Sequence, residues 1–239
     1  SQTDNVMQEA DDVTAEQQKV IREAISDFVA RNGYLPCPAP FNAGLDTSVF
    51  GKPECTASAG AVEETTVDTR DNRPILIGAL PVRALDIQDD YFWDGYGKPY
   101  MYTVTKGLTD PSTFANHEGG LYVVDHIGQD LTVQAGGGLY TVISTGEQGS
   151  YDACPGGGQD AENCDRDGVF VLMTRNANHK LADYYDDYIL FSEREPSDPY
   201  SICGNKGKIY APMQTGRDRD DCISVMAYRD YATIRLADS

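Results

Sequence analysis

The sequence predicts an α+β protein: one long N-terminal helix packed on an antiparallel β-sheet, with long loops clipped by disulfides. Three observations predict it. Apolar residues recur three or four apart through residues 6–29 and then meet a Gly and two Pro. Downstream, short alternating segments are separated by Gly- and Asp-rich turns, with no second long helix and no βαβ alternation, which argues against a parallel doubly wound sheet. The six cysteines fall as three local pairs.

In chain order, the helix comes first. Val6, Ala10, Val13, Gln17, Val20/Ile21, Ala24/Ile25 and Phe28/Val29 form one stripe, with Asp, Glu, Gln and Lys elsewhere. The stripe is weak over residues 6–17 and strong over 20–29. The second half is therefore expected on the domain's own core, and the first half either projects or packs on a partner. Gly33 suits the residue just past a helix end, and Pro36 and Pro38 prevent the helix from resuming.

Residues 33–99 read as a loop-rich connecting region, in which 40–73 lack periodicity and are expected to form a long ordered loop closed by Cys37–Cys55. The region also holds the apolar run Ile75-Leu76-Ile77-Gly78-Ala79-Leu80 and the aromatic cluster at 91–96. Residues 100–195 carry the strand candidates 100–105, 121–125, 131–134, 139–145, 169–174 and 188–192. Residues 196–239 read as a C-terminal elaboration, with weaker candidates at 208–211 and 232–236. No repeat or domain boundary interrupts the chain, so 1–239 is expected to form a single domain.

Loop closure favours near neighbours, so the expected disulfides are Cys37–Cys55, Cys154–Cys164 and Cys203–Cys222. Such bonds place the chain in an oxidising compartment. The formal charge of -19 repels phosphate backbones and anionic headgroups, which argues against nucleic-acid binding. No apolar run approaches the ~18 residues of a membrane helix. Ser1 in place of Met points to processing or trimming.

Enzyme signatures are missing. The Gly runs at 136–138 and 156–158 lack the Lys-Ser or Lys-Thr of a phosphate loop, and His117, His126 and His179 show no zinc-binding spacing. No G-x-S-x-G elbow occurs. One segment has cation chemistry: Asn163-Cys164-Asp165-Arg166-Asp167-Gly168 matches the first half of a calcium loop, in which alternating oxygens converge on a hard ion and Gly permits the turn. Thr174 stands where that loop has its bidentate Glu, so Asp186-Asp187 is the candidate source of the missing carboxylate. Two readings stand: a degenerate calcium site of Asn163, Asp165, Asp167, Asp186 and Asp187, or an acidic corner clipped by Cys154–Cys164.

Three segments together carry a resemblance. They are Asn32-Gly33-Tyr34-Leu35-Pro36-Cys37-Pro38-Ala39; then Ile77-Gly78-Ala79-Leu80-Pro81 with Asp94-Gly95-Tyr96-Gly97-Lys98-Pro99-Tyr100-Met101-Tyr102-Thr103-Val104; and Val142-Ile143-Ser144-Thr145-Gly146-Glu147-Gln148-Gly149 with residues 165–171 and Tyr185-Asp186-Asp187-Tyr188-Ile189. In this order they resemble the ectodomain of bacterial type IV pilin-like proteins, in the pseudopilin branch of type II secretion. The resemblance covers about residues 14–192.

It implies a structural subunit of a type IV pilus or secretion pseudopilus, not an enzyme, whose partners are other pilin or pseudopilin subunits. It also implies an upstream hydrophobic half-helix, cleaved by a prepilin peptidase, that anchors the subunit in the inner membrane before assembly into a periplasmic or cell-surface filament. Calcium in the 146–187 loop is a further implication. The rival reading is a secreted calcium-dependent adhesin, or a module that binds glycans or proteins.

Overall fold

A computed structural model of the chain describes residues 2–124, 128, 130–132, 137–146, 163, 165–171, 188–194, 201–205 and 222–224. Helix α1 spans Gln2–Asn32, 31 residues, a rod of roughly 45 Å. Its end is built as the sequence requires. Gly33 takes a φ of 79°, and its N–H closes on the Val29 carbonyl at 2.7 Å. The Asn32 side chain donates to the Phe28 carbonyl at 2.8 Å, satisfying another C-terminal acceptor.

The stripe is half corrected. Ile21, Ala24, Ile25, Phe28 and Val29 are buried as expected. In the first half the buried positions are polar: Asp11, Thr14 and Gln18. They run in phase with Ile21, Ile25 and Phe28, three and four apart, so the inward face continues without its apolar character. Val6 and Val13 remain 66% and 41% exposed.

Seven strands form one antiparallel sheet. They are β1 (Glu63–Thr65), β2 (Ile75–Ala79), β3 (Met101–Thr105), β5 (Gly138–Ser144), β7 (Tyr188–Arg194), β8 (Ser201–Asn205) and β9 (Cys222–Ser224). Their order in the sheet follows the chain, and every neighbouring pair is antiparallel. Two strands leave this meander. β4 (Tyr122–Val124) and β6 (Val169–Val171) pair with each other in parallel.

The sheet is covered on both faces. Leu76, Tyr102, Val104, Tyr140, Val142 and Leu190 pack with Ile21, Ile25 and Phe28 of the helix. Ile75, Ile77, Met101, Ile143, Ile189 and Phe191 pack with Leu121, Val123 and Phe170 from the β4–β6 pair. Helix, sheet and small ribbon therefore make three layers. Two-sided burial explains the continuous apolar run of β2, which alternation alone does not reveal.

Several expectations change with these strands. Residues 33–99 contain β1 and β2, so they form the sheet's first edge as well as its loops. Of the candidates at 121–125 and 169–174, Tyr122–Val124 and Val169–Val171 form the parallel back ribbon, a sheet separate from the main one; residues 125 and 172–174 lie outside the described residues. Leu131 and Thr132 are not in a strand, while 133–134, 208–211 and 232–236 lie outside the described residues. The described parts of 196–239 extend the sheet as β8 and β9.

Cys37 and Cys55 are bonded and close an 18-residue separation. Cys203 and Cys222 stand opposite each other in the β8–β9 register. Cys154 and Cys164 lie outside the described residues. From its loop length the Cys37–Cys55 bond is expected to contribute about 3 kcal/mol. A Cys37→Ser/Cys55→Ser double variant should lose roughly that amount in urea unfolding, and a loss within experimental error of zero would contradict this. The register also predicts a Cys203–Cys222 crosslink in non-reduced peptide mass spectra.

Candidate functional site

Parts of three of the quoted segments, within 33–39, 94–102 and 144–146, meet at the joint between α1 and the sheet. The turn at 94–100 is organised around one carboxylate. Asp94 accepts the backbone N–H groups of Tyr96 and Lys98 on Oδ1, both at 2.9 Å, and the Ser144 hydroxyl on Oδ2 at 2.5 Å. Its own N–H donates to the Lys98 carbonyl at 2.7 Å, and Gly97 turns the chain with a φ of 73°. The Lys98 ammonium reaches the Gly146 carbonyl at 2.6 Å, so the turn is tied to the end of β5 twice.

This turn lies against the polar half of the helix. A Cβ on Gly95 would stand 2.0 Å from the Ala10 carbonyl oxygen, and Gly95 does not have a positive φ. The glycine is required here for proximity, not for an unusual backbone conformation. Its N–H donates to Thr14 Oγ1 at 3.0 Å, while the same hydroxyl donates to the Ala10 carbonyl at 2.8 Å. The Tyr96 hydroxyl makes a short hydrogen bond to Asp11 Oδ1. The Tyr100 hydroxyl reaches Gln17 Oε1 at 2.9 Å and the Thr14 carbonyl at 3.4 Å, and Gln18 Nε2 reaches the Val142 carbonyl of β5 at 3.4 Å. The buried polar face of α1 is thus matched group for group.

The other end of the joint uses the segment after the helix. Leu35 N–H donates to the Leu108 carbonyl at 2.8 Å, the Tyr102 hydroxyl donates to the Pro36 carbonyl at 3.0 Å, and Ala39 bridges to Ala79. Gly78 is bare for the same reason as Gly95: a Cβ there would come within 2.6 Å of both the Ala39 carbonyl and Pro38.

Burial raises the proton affinity of Asp94, against the opposing pull of Ser144, the two backbone donors and Lys98. Tyr100 is pushed well above its ordinary range by burial and by the nearby Asp94 charge, so it acts as a neutral hydrogen-bond donor. The arrangement is a set of satisfied, closely packed contacts. Its chemistry is mechanical: it fixes the angle and rotation of the helix on the sheet.

The predicted cation loop is described in part. Asn163 and Asp167 are buried, and Asp165 is exposed. Asp167 Oδ1 accepts the Val169 N–H at 2.8 Å, and Arg166 pairs with Glu63 at 2.6 Å. Gly168 lies on the segment before β2, where a Cβ would come within 2.8 Å of Thr69. Partial desolvation of its carboxyl, and then the charge of Asp68, raise the proton affinity of Asp165 against the hydrogen bonds it makes with Asp167. Asp186 and Asp187 lie outside the described residues. Among the described residues no three His, Cys, Asp or Glu side chains converge in a way that would hold a metal.

Comparison of the chain with protein-family models, with curated proteins and with solved structures gave no match.

Asp11, Thr14 and Gln18 stand outside the expected stripe, which follows the mainly apolar positions Val6, Ala10, Val13 and Gln17. The signal was available: these positions extend the 21–25–28 spacing backwards in phase.

Two predictions follow from the joint's packing and charge. Gly95→Ala should destabilise the chain by about 3 kcal/mol through overpacking. Gly97→Ala, with nothing within 4 Å of its added Cβ, should lose only about 1 kcal/mol for its left-handed backbone. Equal losses in chemical denaturation would show that the Ala10 contact is not tight. For pH, the raised Asp94 proton affinity means its contribution to stability is complete below the unfolded pKa and is lost as pH rises through the folded value. Asparagine carries no such proton. The stability of Asp94→Asn relative to wild type should therefore rise from acid toward neutral pH and then level off, and a flat or falling difference would contradict the assignment.

Proposed function

We propose that the chain is a non-enzymatic structural subunit of a type IV pilus or type II secretion pseudopilus, assembled through its N-terminal helix. One observation carries this reading. Two of the quoted motifs, whose Asp94 and Ser144 lie 50 residues apart in sequence, meet the helix at a single joint that clamps α1 to the sheet at Thr14, Gly95 and Ser144. A catalytic site would be expected to expose reactive groups in a cleft, whereas these groups are consumed in fixing a rod. A subunit that bears load along a filament requires that kind of stiffness.

Two further features support it. Val6 and Val13 face outward from α1, off its buried face. The Cys37–Cys55 bond pins the segment leaving the helix and suits an oxidising compartment outside the cytoplasm. Calcium has no part in this proposal.

The test is the coding sequence upstream of Ser1. The proposal expects a short basic leader ending in Gly, then an apolar stretch of about 20 residues with an early Glu, long enough to span a bilayer. A plain secretory signal peptide cleaved just before Ser1 would overturn it in favour of the secreted adhesin.

A further inference from the structure

The outward face of α1 has its own seven-residue pattern. Val6, Val13 and Val20 recur at intervals of seven, and Glu9, Glu16 and Glu23 recur alongside, each three residues later. At 3.6 residues per turn the two sets form adjacent stripes of apolar and acidic residues running about 25 Å along the rod. The apolar stripe borders the buried face. There it forms the floor of a surface groove of about 390 Å³, lined by Asp12, Val13, Glu16, Gln17, Val20 and Tyr91. Val6 and Val13 are 66% and 41% exposed.

Charge identifies the occupant. Glu9, Glu16 and Asp12 are exposed along the helix, and Asp90 is exposed beside Tyr91. Glu16 meets Lys19 at 2.6 Å, but both side chains are more than half exposed, so that pair is weak and readily exchanged. A second copy does not suit the groove. Packed antiparallel, it would place its own carboxylate ladder against Glu9, Glu16 and Glu23; packed parallel, it would present the flank of Gln17 and Tyr91, where the Arg83 guanidinium is already held by Asp89 of the same turn. Like-charge opposition of this kind selects against self-pairing.

We infer that the groove between α1 and the 3-10 turn Asp89–Phe92 is a docking surface for an amphipathic helix of a different protein. That helix has an apolar seam for Val13 and Val20, and a Lys/Arg flank for Glu9, Glu16 and Glu23. This deepens the subunit reading by naming the kind of neighbour that lies beside α1, and it rests on that reading for its setting. Because the binding is read in solution, a failed leader test and a failed docking test remain separable.

The test uses the full chain and three labelled peptides of about four heptads, the length scale of a short coiled coil. One has a Leu seam and Lys flanks, one has the same seam with Glu flanks, and one is the Lys peptide in scrambled order. In fluorescence anisotropy the Lys-seam peptide should bind and become helical, while the other two should not. Val13→Ser/Val20→Ser should weaken binding by about tenfold, and Glu9→Lys/Glu16→Lys/Glu23→Lys should reverse the preference toward the Glu-flanked peptide by a similar factor. A control reversal at Glu64, Asp110 and Glu118, acids away from the groove, should leave binding within about twofold. Three results would overturn the proposal: equal binding of the scrambled peptide, equal loss in the control reversal, or self-association of the chain that Val13→Ser abolishes.

Discussion

The rest of the structure depends on a contact between two stretches of bare backbone. Gly95 approaches the Ala10 carbonyl so closely that no other residue fits between the turn and the helix. From this approach follow the Thr14 hydrogen bond, the reach of Tyr96 to Asp11, and the position of Asp94 against Ser144. The two halves of α1 are therefore held by different physics. Residues 21–29 gain from burial, at roughly 25 cal/mol per Å² of apolar surface. Residues 11–18 are held by hydrogen bonds worth about 1 kcal/mol each, net of solvation. A few such bonds suffice only because the glycine contact removes the space through which water would compete.

The opposite face of the sheet is secured by charge and by further close approaches. Arg70 lies 4.1 Å over the Tyr122 ring and pairs with Asp130 at 2.7 Å, joining the segment before β2 to the back ribbon. Arg166 pairs with Glu63, and Gly168 rests on Thr69, so β6 is tied to the sheet's first edge. Asp68, Asp71 and Asn72 all take positive φ in this segment, a left-handed run that Asp and Asn tolerate better than most residues. Acids outnumber bases two to one, and exposed acids gather on faces such as the outer flank of α1, where Glu9, Asp12, Glu16 and Glu23 lie.

How much of this was legible varies by element, for physical reasons. The helix, its stop at Gly33 and the Ile21–Val29 face could be read because period, cap and proline all agree. Cys37–Cys55 could be read because proximity in sequence dominates loop closure. β2 was obscured by having both faces buried, which erases alternation. The parallel pairing of β4 with β6 was obscured because a strand's sequence records its burial but not its partner. In the joint, Gly95 and Gly78 carry no side chain to signal a contact, and Thr14 and Asp11 resemble ordinary solvent-facing residues until their phase is compared with Ile21. The calcium reading rested on oxygen spacing along the chain. That spacing marks the segment but not its partners: Asp165 and Asp167 hydrogen-bond to each other, Asp167 Oδ1 accepts the Val169 N–H, and Asp186 and Asp187 lie outside the described residues.

The central claim is that α1 from Asp11 to Ala30 behaves as one element fixed to the sheet. Native-state hydrogen exchange resolved by residue tests it most directly. The account predicts that the helix amides of residues 15–20 open together with those of 21–29, with comparable free energies and the same denaturant dependence. Exchange of 15–20 at rates typical of an unsupported helix, while 21–29 stay protected to the global limit, would contradict it.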